Sequence, residues 1–142
     1  MKRFRIVQSA VLLTTALAVV AAQTVERADE SQEEFAPLFE TEGYESPWIT
    51  GDTNQDGDID YALRLDEFGE KAYEAMDFNF DGLMDDFYIY RGGVLFAEQL
   101  DTNFDGRIDL WIHMHDGVRV RGYERDLDYD GTVDLVKEFG ES

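Results

Sequence analysis

Oxygen-bearing side chains recur at fixed spacing in four short segments of the sequence. Each segment has Asp at position 1, Asn or Asp at position 3, Asp-Gly at positions 5 and 6, and Asp at position 9. The copies are Asp52, Asn54, Asp56 and Asp60 in loop 1 (residues 52–60); Asp77, Asn79, Asp81 and Asp85 in loop 2 (77–85); Asp101, Asn103, Asp105 and Asp109 in loop 3 (101–109); and Asp126, Asp128, Asp130 and Asp134 in loop 4 (126–134). Alternate side chains of a curled loop converge, and a hard divalent cation takes roughly six to eight such oxygens. The spacing therefore predicts four metal-binding loops.

Positions 6 and 7 of each loop have different expected roles. Position 6 must turn sharply, and it is Gly in all four copies, with the glycines 25, 24 and 25 residues apart. Position 7 is expected to offer its backbone carbonyl, so its side chain can vary. The residues at position 7 are Asp58, Leu83, Arg107 and Thr132.

The alternative explanation is that these segments are ordinary Asp-Gly turns between strands. That explanation does not account for the charge, because 14 of the 32 acidic residues fall within the four loops. Several carboxylates in one loop repel each other unless a cation enters. We therefore predict up to four bound Ca²⁺ ions, and we favour calcium over magnesium because the ligands are many and all are oxygens.

The loops resemble the first nine positions of an EF-hand loop and then depart from it. An EF-hand has a bidentate Glu at position 12, where this chain has Leu63, Tyr88, Ile112 and Lys137. A final Asp at position 9 is similar instead to the calcium loops of FG-GAP and VCBS-type repeats, found in integrin α chains and many secreted bacterial proteins. That resemblance covers the loops alone, and it implies calcium binding between β-strands.

The segments between the loops predict strands. From Ile108 to Met114, apolar and polar residues alternate with period 2, and Asp116-Gly117 supplies a hairpin turn before the next strand. Gly92-Gly93 does the same after loop 2, whereas residues 71–76 could form a strand or a short helix. The predicted fold is all-β, an antiparallel meander of short hairpins with the four loops at one end, either open or closed into a small barrel or sandwich.

The predicted register places many apolar residues on one face of the sheet. That face includes Ile59, Tyr61, Leu63, Leu65, Met84, Tyr88, Tyr90, Ile108, Leu110, Ile112, Met114, Val133 and Leu135, with an interruption at Asp86. The opposite face is mixed, because it carries Phe87 and Ile89 together with Arg64, His113 and Glu138. We expect the first face to be the buried one.

The N-terminal part of the chain predicts two further segments. Basic residues precede an uncharged stretch from Ile6 to Ala22 that ends in small residues, which is typical of a signal peptide over residues 1–22. The rival interpretation is a membrane anchor. Residues 23–47 contain eight acidic residues and predict a flexible arm. The calcium-binding β repeat domain is then expected over residues 48–142.

Charge and composition limit the partners and the chemistry. The chain has 12 basic against 32 acidic residues, a net charge of -20, and no cysteine. These values disfavour nucleic acid and stable membrane insertion after signal cleavage, and they exclude disulfides and thiolate chemistry. We predict a secreted or periplasmic module, not an enzyme, whose partners are calcium ions and either another secreted protein or a surface polysaccharide. The alternatives are a metal-dependent hydrolase and an EF-hand-type sensor or buffer.

Overall fold

A single antiparallel sheet dominates the computed structural model, which describes residues 35–140. The strands are β1 (Ile49–Gly51), β2 (Tyr61–Leu65), β3 (Lys71–Met76), β4 (Asp86–Arg91), β5 (Val94–Leu100), β6 (Leu110–His115), β7 (Arg119–Arg125) and β8 (Leu135–Glu138). They are hydrogen-bonded in chain order, so β1 and β8 form the two edges and the sheet is open. The predicted all-β meander is confirmed. Residues 71–76 form strand β3 and not a helix.

Tight turns connect the strands at one end of the sheet. In the β4–β5 connection, both Gly92 and Gly93 have positive φ, which suits the twist of a hairpin. Asp116 and Gly117 have positive φ in the β6–β7 connection. The β2–β3 connection is closed by Asp66, whose Oδ1 accepts the backbone amides of residues 68 and 70 at 2.9 Å each. These connections leave the four acidic segments at the other end.

The strand register confirms the alignment of the predicted apolar face. Leu63 lies opposite Glu74, which lies opposite Tyr88. Glu98 continues the row between Tyr88 and Ile112. Directly opposed residues share a face of the sheet, so this face holds a row of half-buried apolar side chains with acidic residues between them.

The buried core lies mainly on the opposite face, which contradicts the predicted burial for the strand residues. The prediction holds for three loop residues, because Met84 is 0% exposed in the core and Ile59 and Ile108 pack against it. Ala62, Ala75 and Phe87 lie directly opposite one another on neighbouring strands, and none is more than 1% exposed. Burying a phenylalanine side chain such as that of Phe87 contributes roughly 1.5–3 kcal/mol to the free energy of unfolding. Both faces of β4 are apolar in sequence, so the alternation alone does not determine which face is covered.

Residues 35–48 cover the core face with aromatic side chains. Phe35 stacks on Tyr73 with ring centroids 4.5 Å apart, and Phe39 meets Phe87 edge-on at 5.2 Å. Tyr44 is buried, and its hydroxyl donates to the carbonyl of residue 38 at 2.6 Å. The backbone amide of residue 84 also donates to the carbonyl of Phe39 at 2.8 Å. This segment includes one 3-10 turn, Thr41–Gly43.

The packed segment changes the domain boundary inferred from sequence. Residues 35–47 belong to the folded sheet domain, whereas the sequence predicts a flexible arm through residue 47. The acidic residues and prolines indicate disorder, but the aromatic side chains between them bury enough apolar surface to dock. The predicted signal peptide (1–22) and the rest of the predicted arm (23–34) lie outside the described residues. Across residues 35–140, no helix has the length and apolar composition needed to cross a membrane.

Candidate metal centres

The four acidic loops form a row along one end of the sheet. They connect β1 to β2, β3 to β4, β5 to β6 and β7 to β8, which are alternate connections of the meander. Neighbouring loops are therefore two strand positions apart, or roughly 9–10 Å. The fold brings all the sequence-predicted ligands to this end, and it keeps each loop as a separate group.

Backbone hydrogen bonds close every loop in the same way. The amide of position 9 donates to the carbonyl of the residue before position 1, at 3.0, 2.8, 2.9 and 2.9 Å in loops 1 to 4. The amide of position 1 donates to the carbonyl of position 9 in the preceding loop. The three junctions are Asp77 to Asp60 at 3.0 Å, Asp101 to Asp85 at 2.8 Å and Asp126 to Asp109 at 2.9 Å. Each loop is thus tied to its predecessor.

The aspartates at positions 1 and 9 also organise the loop backbone with their side chains. In all four loops, the position 1 carboxylate accepts the amide of the position 6 glycine, at 3.0, 2.9, 2.7 and 2.7 Å. The position 9 carboxylate accepts the amide of position 2, as Asp85 does from Phe78 at 2.8 Å. These bonds satisfy backbone donors that a tight loop leaves without partners. They hold the carboxylates in place before any ion binds.

Each loop contains two residues with left-handed backbone conformation. The position 6 glycines have φ between 81° and 106°, and a Cβ added at any of them would meet nothing within 4 Å. Glycine is therefore required by the backbone conformation and not by space. Position 4 is also left-handed, with φ of 60° to 65° at Gln55, Phe80, Phe104 and Tyr129. The sequence gives no signal for this second position, because bulky residues rarely adopt it.

Carboxylate oxygens converge most closely in loops 2 and 4. In each of these loops, three carboxylates offer oxygens that lie within 4.8 Å of one another. The groups are Asp77, Asp81 and Asp85 in loop 2, and Asp126, Asp128 and Asp130 in loop 4. Among residues 35–140, loops 1 and 3 do not bring three carboxylates this close. The fourth acidic residue of loop 4, Asp134, instead accepts the amide of position 2 at 2.8 Å.

One carboxylate oxygen in loop 4 is buried without a partner. Asp126 is 2% exposed, and its Oδ2 accepts the amide of Gly131 at 2.7 Å. Its Oδ1 has no hydrogen-bond partner among the described residues. A buried anionic oxygen without a partner is costly, and a cation among the three carboxylates would satisfy it.

Burial and acidic crowding shift the pKa of individual carboxyl groups. Burial raises the pKa of Asp85 to about 6, with further contributions from the nearby Asp77 and Asp81, although two backbone amides act in the opposite direction. In loop 4, the charge of Asp130 is the main cause of a raised Asp128 pKa. Both causes disfavour the ionised form of the carboxyl group.

Asp85, and not its neighbour Asp86, closes loop 2. Asp86 lies on the sheet opposite Leu100 and is 2% exposed. Burial, the largest cause, raises its pKa to about 7, and the nearby charge of Glu98 acts in the same direction. The register thus places Asp85 at the end of loop 2 and Asp86 in strand β4.

Nitrogen donors hold the position 5 carboxylates of loops 1, 2 and 3. The side-chain amide of the position 3 asparagine donates to the position 5 Oδ2 atom at 2.8, 2.9 and 3.1 Å in these three loops. In loop 3, Arg107 Nη2 donates to Asp105 Oδ2 at 2.8 Å and also to the carbonyl of Tyr129 in loop 4 at 3.2 Å. The ion pair lowers the pKa of Asp105. The sequence predicts that the side chain at position 7 can vary without effect. In loop 3 this prediction is wrong, because the Arg107 side chain contacts a proposed ligand.

The backbone amides of three position 7 residues are bonded within their own loops. The amides of Asp58, Leu83 and Thr132 donate to the position 5 carboxylates at 2.8–3.0 Å. The assignment of the position 7 carbonyls as ligands stays a prediction.

No protein family model matches the chain, and no curated protein matches it.

Proposed function

We propose that this protein is a calcium-binding β-repeat module whose loops each bind one ion, up to four in total. The observation that carries the proposal comes from loop 4, where the carboxylates of Asp126, Asp128 and Asp130 converge and Asp126 has a buried oxygen without a hydrogen-bond partner. Loop 2 supports it with a second convergent group of three carboxylates. The proposed ligands in every loop are the side chains at positions 1, 3, 5 and 9 and the carbonyl at position 7.

The chemistry of the ligands favours calcium. All of the proposed donors are oxygens, and the chain has no cysteine to select a softer metal. Calcium accepts six to eight oxygens in irregular geometry, whereas magnesium requires near-octahedral geometry and retains several waters. A nine-residue loop with mixed carboxylate, amide and carbonyl donors fits calcium better than magnesium.

The proposed role of the ions is to stabilise the repeat array. An ion bound in a loop neutralises carboxylates that otherwise repel, and it fixes the loop that joins two strands. Because the position 1 amides of loops 2, 3 and 4 are each bonded to the preceding loop, an ion in one loop would also stabilise the loop next to it. Binding to the folded state alone adds to its free energy of unfolding.

The biological setting is part of the proposal. A secreted or periplasmic location would supply calcium at concentrations that weak sites of roughly 10⁻⁴–10⁻³ M can use. The module would then serve a structural, adhesive or protein-interaction role, with another secreted protein or a surface polysaccharide as partner. Exposed aromatic side chains within loops 2 and 3, Phe78, Phe80 and Phe104, support an interaction role because they offer apolar contact area next to the proposed ions.

The two alternatives receive less support from the described residues. An EF-hand-type sensor places a helix on each side of its loop, whereas every loop here joins two β-strands. A metal-dependent hydrolase needs a substrate pocket with a base beside the metal. The carboxylates of the loops are engaged instead in closing the loop backbone, and no described feature favours hydrolysis.

Calorimetric titration of the full chain with CaCl₂ tests the proposal, with far-UV circular dichroism and melting curves in calcium and in EDTA. We expect at least two bound ions, a β-type spectrum and a higher melting temperature in calcium. Asp126→Ala should remove one ion, whereas Asp116→Ala, at the opposite end of the sheet, should remove none. Fewer than two ions, or equal melting temperatures in calcium and EDTA, would refute calcium binding as the source of stability.

A further inference from the structure

Arg107 stands out because it is a positively charged side chain inside a proposed cation site. It occupies position 7 of loop 3, where the other loops have Asp58, Leu83 and Thr132. Its Nη2 contacts Asp105 Oδ2 at 2.8 Å. Asp105 at position 5 is one of the side chains that would bind the ion.

The same guanidinium also joins two loops. Its Nη2 reaches the carbonyl of Tyr129, which is position 4 of loop 4, at 3.2 Å. The groove between loops 3 and 4 is lined by Asp105, Arg107, Asp109, Asp126 and Tyr129 among others. The positive charge therefore lies between the ligands of both loops.

The carboxylates of loop 3 are less convergent than those of the two loops beside it. Loops 2 and 4 each bring three carboxylate oxygens within 4.8 Å, whereas loops 1 and 3 do not among residues 35–140, and loop 3 is the one of these two with an arginine at position 7. Asp105 instead points one oxygen at the guanidinium and the backbone amide of the same residue donates to Asp101 at 3.2 Å.

We infer that Arg107 is a built-in competitor for calcium in loop 3, so that an ion enters this loop only after the guanidinium leaves Asp105. This inference rests on the proposed calcium-binding function and adds an order of filling. Loops 2 and 4 bind first, and loop 3 binds at higher calcium concentration. Arg107 is thus an affinity-determining residue that sets how many ions the module holds at a given calcium concentration.

The expected size of the effect follows from the exposure of the ion pair. The side chains of Arg107 and Asp105 are 59% and 32% exposed, so solvent screens the pair and calcium can displace it. Removing one unit charge at this distance in a high-dielectric setting should lower the calcium midpoint of loop 3 by about threefold to tenfold.

The test is a calcium titration followed by the backbone amide NMR signals of the four loop glycines. Each of these amides donates to the position 1 carboxylate of its own loop, so each signal reports one loop. In the wild-type chain, Gly106 should respond at higher CaCl₂ than Gly82 and Gly131. In Arg107→Leu, which copies the residue of loop 2, the Gly106 midpoint should fall about threefold to tenfold.

Arg119→Leu is the matched control for net charge. Arg119 begins β7 at the turn end of the sheet and its side chain is equally exposed at 59%. This variant should leave the Gly106 midpoint unchanged. An unchanged midpoint in Arg107→Leu, or an equal fall in Arg119→Leu, overturns the role of Arg107 while the response of the other glycines preserves the proposed function. If none of the four glycine signals responds to CaCl₂, the proposed function itself fails.

Discussion

Asp85→Asn should change stability in opposite directions with and without calcium. The Asp85 Oδ2 atom accepts the backbone amides of Phe78 and Asn79 at 2.8 and 3.3 Å. An asparagine carbonyl oxygen can accept the same amides, so the substitution keeps loop 2 closed. What it removes is one of three negative charges whose oxygens lie within 4.8 Å of one another.

The size of the effect without calcium follows from Coulomb repulsion. Two unit charges about 4.8 Å apart repel by roughly 0.9 kcal/mol at the dielectric constant of water, and Asp85 belongs to two of the three pairs in loop 2. The burial that raises its pKa to about 6 acts in the same direction. In EDTA at neutral pH, the free energy of unfolding should therefore increase by about 1–2 kcal/mol. For a domain of this size, the melting temperature rises by roughly 5–10 °C.

In calcium the order of stability should reverse. When the calcium concentration is 100 times the dissociation constant of a site, the bound ion adds about 2.7 kcal/mol to the free energy of unfolding. The variant should lose much of the contribution made by the ion in loop 2. Melting curves by circular dichroism in EDTA and in CaCl₂ give both values. If the variant melts at or below the wild-type temperature in EDTA, the carboxylates of loop 2 do not repel as argued. If it gains as much from calcium as the wild type, Asp85 is not a ligand.

Asp66→Asn is the matched control for this experiment. Asp66 Oδ1 accepts two backbone amides at 2.9 Å in the β2–β3 turn, so the side-chain closure has the same form. It lies at the opposite end of the sheet from the carboxylate groups. The substitution removes the same charge and should alter neither the stability in EDTA nor the gain from calcium by more than about 0.5 kcal/mol.

Three further predictions concern the aromatic core, the buried carboxyl group of Asp86 and the loop backbone. Phe39→Ala should lower the free energy of unfolding in urea by about 2 kcal/mol, whereas Phe68→Ala, at an 80% exposed turn residue, should change it by less than about 0.5 kcal/mol. Burial raises the pKa of Asp86 to about 7, so protonation of this carboxyl group favours the folded state, and in EDTA the melting temperature should rise as pH falls from 8 to 6. Asp86→Asn should reduce this dependence of the melting temperature on pH. An unchanged dependence would show that Asp86 is not the group responsible. Gly131→Ala should lower the free energy of unfolding by about 1–2 kcal/mol, because the backbone φ at this position is 91°. Gly140→Ala is the control and should lower it by less, because Gly140 does not have a positive φ. Equal losses in the two variants would show that backbone strain is not the cause.

The repeat spacing was sufficient to predict the loops and the order of the strands. Positions 1, 3, 5, 6 and 9 are local in sequence, and their conformation is set by bonds within nine residues. The alternating segments between loops then have to form antiparallel neighbours, because short connections permit little else. The row of loops at one end of the sheet follows directly from that arrangement.

The covered face and the contacts between loops depend on interactions that the spacing does not encode. Phe87 is buried because Phe35 and Phe39, about 50 residues earlier, pack on it, and the acidic composition around them favoured disorder instead. Arg107 reaches Tyr129 in the next loop, a contact that appears only when two neighbouring loops are placed side by side. The left-handed Gln55 and Phe80 have no sequence signal either, and their amides donate to the position 1 carboxylates of their loops at 2.6 Å each.

The identical junctions between successive loops make the length of this fold adjustable. Excising residues 101–125 would join Leu100 to Asp126, and the Asp126 amide would inherit the bond that Asp101 now makes with the Asp85 carbonyl. The aromatic packing on Phe87 would be untouched. Loss or duplication of one unit would therefore preserve the backbone bond that links successive loops.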